Sequence, residues 1–362
     1  MINQIEPWIT DWEISEVTKC ITSTFVTEGK YTDLFERKIQ QLHSMRTQPV
    51  AYCNATAALY AALKILGIQR GQEVIVPSTT FIASANAVLM AGGIPVCVDI
   101  DSSFNLDISD LVENINPNTF AVMPVHLYGH FTNVFEVRDV CDDAGLYMLE
   151  DASQGVGVCS ENGVFAGTVG DIGVLSFYGN KFVTSAQGGM LLSSNEGYLE
   201  HAKRFKNHGR ASKGTFFHED IGFNFCTSDL HSALGVAQLD RFEDIRANKA
   251  LIHKRYSERL ASVKEVCIDV VKSVAPAYWF ISIFCDNAEL LQGHLSSEGV
   301  QSRRAFPPLQ LQPCYENFND IKFSREVGSN FIYKSYLSLP SKATLSMAEV
   351  DEVCDTIASY YG

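Results

Sequence analysis

Short, continuous runs of apolar residues alternate with segments of helical periodicity over the first half of the chain. The spacing of alanine and leucine in NATAALYAALKIL (54–66) predicts a helix that begins at Asn54 and ends before Gly67. Further helices are predicted over 81–91 and around 133–144. Apolar runs typical of strands occupy residues 73–77, 92–101, 120–129, 146–153 and 172–179. Because these runs do not alternate with polar residues, they indicate an α/β fold with a mostly parallel sheet buried on both faces.

The pattern changes in the second half of the chain. Residues 228–260 form one long stretch that is compatible with a helix, and shorter mixed segments follow it. A chain of 362 residues exceeds the size of most single cores, so we expect two domains. A boundary near residue 240 predicts a large domain over 1–240 and a smaller domain over 241–362.

Composition and charge narrow the classes of function. A net charge of −14 without a basic stripe argues against nucleic acid or an anionic membrane as the main partner, but allows an anionic small molecule. No apolar run reaches the roughly 18–20 residues of a membrane span, and the N-terminus is too polar for a signal peptide, so we expect a cytoplasmic protein. The ten cysteines lack the spacing of a zinc site, which predicts reduced thiols and no metal.

Two charged residues lie at the carboxyl ends of predicted strands, at the edge of the sheet where α/β enzymes bind ligands. Lys181 comes after the run 172–179; a lysine with a lowered pKa can attack a carbonyl, although most lysines at strand ends are solvated. Asp151 lies in the run 146–153. It is a candidate partner for a cofactor ring nitrogen, whereas a helix N-cap is the commoner role of such an aspartate.

Two further features lie at predicted turns into helices. The helix start at Asn54, Ala55 and Thr56 offers backbone N–H groups and a hydroxyl to an anion, with ordinary capping as the alternative. Phe81 is either a core residue or a surface on which a flat cofactor stacks. Taken together, the lysine, the aspartate, the helix start and the aromatic ring match the aldehyde, ring nitrogen, phosphate and ring face of pyridoxal 5′-phosphate (PLP).

The chain also resembles the DegT/DnrJ/EryC1/StrS family of sugar-nucleotide aminotransferases over nearly its whole length. The resemblance implies fold type I of the PLP-dependent transferases, as in aspartate aminotransferase. That fold has a large domain with a mostly parallel, seven-stranded sheet and a smaller C-terminal α/β domain. The motifs that carry the resemblance are FVTEGKYTDLFE (25–36), NATAAL (54–59), EVIVPSTTFIASANAV (73–88), VHLYGH (125–130), EDASQGVG (150–157), GDIGVLSFYGNK (170–181), GGM (188–190), IGFNF (221–225), GVAQLDR (235–241), YWFISI (278–283), SRRAFPPLQLQPCY (302–315) and LSLPS (337–341).

The resemblance implies roles for the residues that match the family's motifs. Lys181 would bond to the cofactor aldehyde and then act as the catalytic acid and base. Asp151 would pair with the ring nitrogen, Gln154 would contact the ring hydroxyl, and Phe81 would stack on the ring.

The remaining implied cofactor contacts concern the phosphate. Ala55, Thr56 and Ser176 match phosphate-binding positions of the family. Asn224 matches an asparagine that reaches the phosphate in the neighbouring subunit, so the resemblance implies a homodimer with shared active sites.

Two positions depart from the family's pattern. Cys226 stands where the family often has an arginine. Gln187 replaces the glutamate of a Gly-Glu-Gly-Gly motif, which removes a charge near Lys181. A dehydratase branch of the family has histidine in place of the lysine, so the retained Lys181 favours transamination over dehydration.

The segments 177–190 and 302–308 most resemble the branch that aminates carbon 4 of 4-keto-6-deoxy sugars in perosamine or viosamine synthesis. This implies transfer of an amino group from L-glutamate to a GDP- or dTDP-linked sugar for O-antigen or other surface polysaccharide. Arg303 and Arg304 are candidates for the substrate pyrophosphate, with a surface arginine pair as the alternative. Thr27 is a candidate for the sugar site, or a plain loop threonine.

Three alternative functions are open at this point. A 3-aminotransferase acting on a dTDP-linked 3-keto-6-deoxyhexose would share the fold. A regulator that binds the cofactor without turnover would account for Cys226 and Gln187, but not for the retained Lys181 and Asp151. A nicotinamide-dependent enzyme lacks support because no predicted strand is followed by GxGxxG.

Overall fold

The computed structural model describes all residues of the chain except 213, 271, 272, 274 and 275. The helices are α1 (Asp11–Thr22), α2 (Lys30–Leu42), α3 (Ala55–Leu66), α4 (Ala83–Met90), α5 (Ile108–Glu113), α6 (Val134–Ala144), α7 (Glu196–Lys206), α8 (Asp229–Asp240), α9 (Phe242–Leu260), α10 (Ala288–Ser297), α11 (Val327–Ser335) and α12 (Met347–Tyr361). The strands are β1 (Val50–Tyr52), β2 (Glu73–Pro77), β3 (Ile94–Val98), β4 (Thr119–Val122), β5 (Tyr147–Asp151), β6 (Ile172–Ser176), β7 (Gly189–Leu192), β8 (Val266–Ile268), β9 (Ile281–Cys285), β10 (Arg303–Arg304), β11 (Lys322–Phe323) and β12 (Tyr336–Leu339).

The larger sheet follows the order β1-β7-β6-β5-β4-β2-β3-β11. Its neighbouring strands are parallel except at β7, which runs antiparallel to β1 and β6. All five residues of β2 and of β6 are buried, as expected for strands covered on both faces. The prediction of a mostly parallel α/β sheet is therefore confirmed.

The prediction of seven strands was wrong by one, because β11 adds an eighth strand parallel to β3. This strand has only two exposed residues, Lys322 and Phe323, so it lacks an apolar run of the kind that predicted β2 to β6. An ion pair between Lys322 and the buried Glu73 of β2 fixes it at the sheet edge. A segment of the predicted C-terminal domain thus completes the sheet of the predicted large domain.

The long helical stretch over 228–260 is interrupted at one residue. Arg241 leaves helical geometry between α8 and α9, with φ −108° and ψ 15°. Its guanidinium donates to the buried carboxylate of Glu13, 2.8 Å away, and to the carbonyl of Trp8. These tertiary bonds hold the chain in a bend that periodicity does not signal.

A second, antiparallel sheet with the order β10-β12-β9-β8 lies in the C-terminal part of the chain. Its buried residues form a core of their own with those of α9, α10 and α12. The division of the chain near residue 240 stays a prediction. Among the described residues, no helix combines the length and apolarity that crossing a membrane requires.

Candidate active site

The N-terminus of α3 forms one wall of a cavity at the edge of the larger sheet. The Asn54 side chain caps this helix by accepting the N–H of Ala57 at 2.8 Å. The first N–H groups of a helix have no intrahelical acceptor, so those of Ala55 and Thr56 are suited to an anion. Ser176, at the end of β6, lies on the same cavity of about 460 Å³. Its other lining residues are Met90, Tyr178, Gln187, Gly188 and Phe225.

A pair of glycines, Gly188 and Gly189, explains how β7 comes so close to the N-terminus of α3. A Cβ on Gly189, the first residue of β7, would lie 2.5 Å from the backbone carbon of Asn54. A Cβ on Gly188 would lie 2.4 Å from the Ser185 hydroxyl. Only glycine therefore lets β7 pass directly under the N-terminus of α3.

Asp151 is a buried carboxylate at the carboxyl end of β5, with 5% of its surface exposed. Its Oδ2 accepts the hydroxyl of Ser84 at 2.7 Å, and its Oδ1 accepts the N–H of Ser153 at 3.1 Å. Residues 152–171 form turns and bridges but no helix, so Asp151 is not the helix cap considered above. Two donors thus fix a negative charge at the ligand-binding edge of the sheet.

The neighbouring Glu150 points to the opposite face of β5, because side chains alternate along a strand. It is fully buried, and its carboxylate accepts the backbone N–H groups of Gly167, Val169 and Gly170. His126 Nε2 lies 2.8 Å from the same carboxylate. Burial raises the pKa of the Glu150 carboxyl, but these donors and the charge of His126 outweigh it and hold the pKa below its ordinary value.

Gln154 and Phe81 adopt positions compatible with their predicted roles. The Oε1 atom of the buried Gln154 accepts the N–H of Tyr128 at 2.6 Å, so its amide N–H groups remain available as donors. Phe81 is 54% exposed at the turn between β2 and α4, and its ring is 5.7 Å from that of Phe306. Phe81 is therefore not a core residue, and its ring is open to solvent at this turn.

Lys181 lies in the turn after β6 and is partly buried. Burial lowers the pKa of its amine to about 8, although the charge of Asp151 acts in the opposite direction. At pH 7 about one tenth of the amine is therefore unprotonated, which is the form that a nucleophile or base requires. The indole of Trp279 covers this amine, with its centroid 4.0 Å from Nζ.

Asn224 and Thr27 line a different cleft, of about 920 Å³, together with Lys203, Arg204, Lys206 and Arg210. Both residues are exposed, and neither lines the cavity at α3. The next residue, Phe225, does line that cavity. Within one chain, Asn224 and Thr27 therefore line one cleft, whereas Ser176 and the start of α3 line another.

The two candidate arginines lie elsewhere. Arg304 donates to Glu289 at 2.8 Å and stacks on Tyr333. Arg303 lines a cavity of about 500 Å³ that shares no lining residue with the cavity at α3. Neither arginine lines the cavity at α3.

The two departures from the family's pattern have different surroundings. Gln187 lines the cavity at α3, so the missing charge concerns that cavity directly. Cys226 lies in the cleft of Asn224, where its thiol donates to the carbonyl of Lys206 at 3.4 Å. Burial raises the pKa of the Cys226 thiol to about 12, so this cysteine does not replace an arginine as a charge.

Sequence reasoning missed several residues that support the site. Ser84 could have been found, because it lies one helical turn after Phe81 in the predicted helix 81–91. The glutamate next to Asp151 was visible in sequence, but its bonds to residues 167–170 and to His126 depend on tertiary structure. Trp279 lies in the motif YWFISI (278–283), but its contact with Lys181 depends on tertiary structure.

Comparison with known proteins agrees with this geometry. A model of the DegT/DnrJ/EryC1/StrS aminotransferase family matches residues 7–358. The chain belongs to this family. The GDP-perosamine synthase of Vibrio cholerae is 33% identical over 368 residues, which cover 100% of this chain and 99% of that protein. The GDP-perosamine synthase of Escherichia coli O157:H7 is 33% identical over 363 residues, which cover 98% of this chain and 97% of that protein. The crystal structure of the aminotransferase TlmJ from Streptoalloteichus hindustanus has a TM-score of 0.92 at 25% identity, covering 99% of this chain and 98% of that one.

The enzyme is therefore a PLP-dependent aminotransferase with the predicted type I fold. Its own residues fit this cofactor. The cavity at α3 has donors for a phosphate, Asp151 carries a fixed and buried negative charge, and Lys181 has an amine of lowered pKa. Among the described residues, no three His, Cys, Asp or Glu side chains form a group that could hold a metal ion.

Proposed function

We propose that this aminotransferase moves the amino group of L-glutamate to carbon 4 of a nucleotide-linked 4-keto-6-deoxyhexose, with GDP as the nucleotide. The observation that carries the proposal is 33% identity to a GDP-perosamine synthase along 100% of the chain. In support, Asp151 ends β5 beside the neighbouring strand β6, whose last residue, Ser176, lines a cavity with the N-terminus of α3. The product would be a 4-amino-4,6-dideoxyhexose for a surface polysaccharide such as O-antigen.

Bound PLP would supply an aldehyde that bonds to amines and a ring that accepts electrons. Lys181 would hold the aldehyde. Once displaced, its Nζ would take the proton from the amine-bearing carbon of glutamate and pass it to the cofactor; with the keto sugar it would carry a proton in the opposite direction, to carbon 4 of the sugar. Asp151, fixed by Ser84, would keep a proton on the ring nitrogen. Gln154 would donate to the ring hydroxyl, and Phe81 would cover the ring face.

A homodimer is part of the proposal. Asn224 lies outside the cavity of its own chain, and the loop before it exposes Phe216, Phe217 and Ile221 by 84%, 81% and 87%. Exposed apolar groups at this density are typical of a protein interface. A second copy that covers them would bring Asn224, and with it Thr27, towards the partner's cofactor. A cytoplasmic location stays a prediction.

The test follows the absorbance of the purified protein with PLP. We expect a band from the lysine-bound cofactor, which L-glutamate should bleach and the correct keto sugar should restore. The bleached enzyme would be given GDP-, dTDP- and UDP-linked 4-keto sugars, with a dTDP-linked 3-keto sugar as the test of 3-amination. Restoration by the 3-keto sugar alone would overturn the proposed position, and absence of bleaching would favour a regulator.

The matched variant is Lys181→Ala. It should bind PLP through the phosphate and Asp151 but give neither the band nor turnover, because the amine that holds the aldehyde is gone. Turnover at the wild-type rate would contradict the role of Lys181.

A further inference from the structure

The indole of Trp279 contacts both the amine of Lys181 and the backbone beside it. The Lys181 Nζ lies 4.0 Å from the ring centroid, and the indole Nε1 donates to the carbonyl of Asn180 at 2.7 Å. Trp279 is 3% exposed and stacks on Phe280, with the ring centroids 4.0 Å apart. The ring therefore has a fixed position relative to the turn that carries the lysine.

A second buried lysine holds the backbone of Trp279. Lys249, in α9, is 3% exposed and donates to the carbonyls of Tyr278 at 3.0 Å, Trp279 at 3.0 Å and Ser341 at 2.6 Å. The three donors of an ammonium group are thus each matched by a carbonyl. Tyr278 has a φ of 37°, in the left-handed region that non-glycine residues avoid. An unfavourable backbone conformation persists where its surroundings hold it, and the hydrogen bond from Lys249 to the Tyr278 carbonyl is one such contact.

We propose that Trp279 is a positioning residue for Lys181, holding the ammonium form of the amine against the indole face, and that Lys249 positions Trp279. The inference deepens the proposed function and rests on it for the use of the free amine. A lysine side chain has four rotatable bonds, so an amine displaced from the cofactor would otherwise occupy many positions. Attraction between the indole face and an ammonium group selects one of them.

The contact acts on protonation as well as on position. The charged group that faces the Lys181 amine is Asp151, from β5, while the amine of Lys249 donates to the carbonyls of Tyr278 and Trp279. Both Asp151 and the indole favour the ammonium form, whereas burial disfavours it. Removing the indole should therefore lower the pH at which the amine becomes neutral.

The test uses protein stripped of PLP and follows the rate at which the lysine-bound band forms after PLP is added, as a function of pH. The neutral amine is the reactive form, so the pH of half-maximal rate reports the ionisation of Lys181. Trp279→Leu should shift that pH down by about 0.5–1 unit. Trp279→Phe, which keeps an aromatic face, should shift it less, and Lys249→Met should reproduce part of the Leu effect.

Trp12→Leu is the matched control, because Trp12 is an exposed indole 5.5 Å from the amine of Lys19. An unchanged half-maximal pH in Trp279→Leu, or a shift to higher pH, would overturn the inference. The measurement needs neither glutamate nor a sugar, so it stands if the proposed substrates are wrong. If wild-type protein forms no band at all, the proposed function fails instead.

Discussion

Replacing Glu150 with glutamine is the substitution for which the structure gives the most definite cost. The carboxylate has four donors: the N–H groups of Val169 and Gly170 on Oε1, both at 2.6 Å, and Gly167 and His126 on Oε2, at 2.9 and 2.8 Å. A glutamine side chain has one oxygen and one N–H₂ group. In either orientation, two of the four donors would face the N–H₂ group and lose their acceptor.

The magnitude follows from that count. A hydrogen bond to a charged group contributes about 1.5–3 kcal/mol, so two lost bonds cost about 3–6 kcal/mol. Because domains unfold at a cost of only about 5–15 kcal/mol, Glu150→Gln should leave the protein close to its stability limit.

Urea unfolding of the PLP-free protein at pH 7 and fixed concentration measures this loss through the midpoint. Glu349→Gln is the control: that glutamate accepts the N–H and hydroxyl of Ser346 in a capping box, where glutamine also functions, so we expect a change below about 1 kcal/mol. Equal losses in the two variants would refute the reasoning.

The pH dependence gives a second readout of the same group. Because the pKa of Glu150 is lowered on folding, its contribution is present above the ordinary value of 4.5 and is lost as the pH falls through the folded pKa. Wild-type protein should therefore lose more stability than Glu150→Gln between pH 5 and the acid limit. Parallel losses in the two proteins would contradict the assigned shift.

Three further predictions concern the cofactor site. Ser84→Ala removes a hydrogen bond to the buried carboxylate of Asp151, so kcat/KM should fall about tenfold or more. An unchanged kcat/KM would show that this bond is dispensable. Gly189→Ala places a Cβ 2.5 Å from the backbone before α3 and should weaken PLP binding about tenfold or more in a fluorescence titration; Gly293→Ala, which meets no atom within 4 Å, should bind normally. Lys181→Ala and Asn224→Ala should each be inactive alone, but co-expressed in equal amounts they should recover about one quarter of the wild-type activity, because one of the four sites in every two dimers combines both intact residues. No recovery would mean that Asn224 serves its own chain.

The sequence predicted those parts of the fold that depend on local patterns. Helix α3 was delimited correctly by Asn54 and Gly67, and β2 by its apolar run, because capping, glycine and unbroken apolar runs are local signals. The bend at Arg241 and the strand β11 were missed, because each depends on partners far away in the chain, Glu13 in one case and β3 in the other.

The site divides in the same way. The positions of Asp151 and Lys181 follow from the ends of β5 and β6, which periodicity locates. Arg303 and Arg304 were named because they lie in the motif 302–315 and their charge suits a pyrophosphate. In this structure Arg304 pairs with Glu289, and the role in pyrophosphate binding stays a prediction.

The end of strand β5 carries one residue that stabilises the fold, Glu150, next to one that faces the cofactor site, Asp151. Glu150 and Asp151 are neighbours with opposite orientations, so one carboxylate binds the loop 167–170 while the other faces the cofactor edge. The backbone between them is fixed from both sides, because Asp151 also pairs with the segment 124–126 through its N–H and carbonyl. Losing the hydrogen bonds of Glu150 should therefore also displace Asp151, because only one peptide unit separates the two residues. If so, Glu150→Gln should lower the affinity for PLP together with the stability, whereas the control Glu349→Gln should leave the affinity unchanged and the stability nearly so.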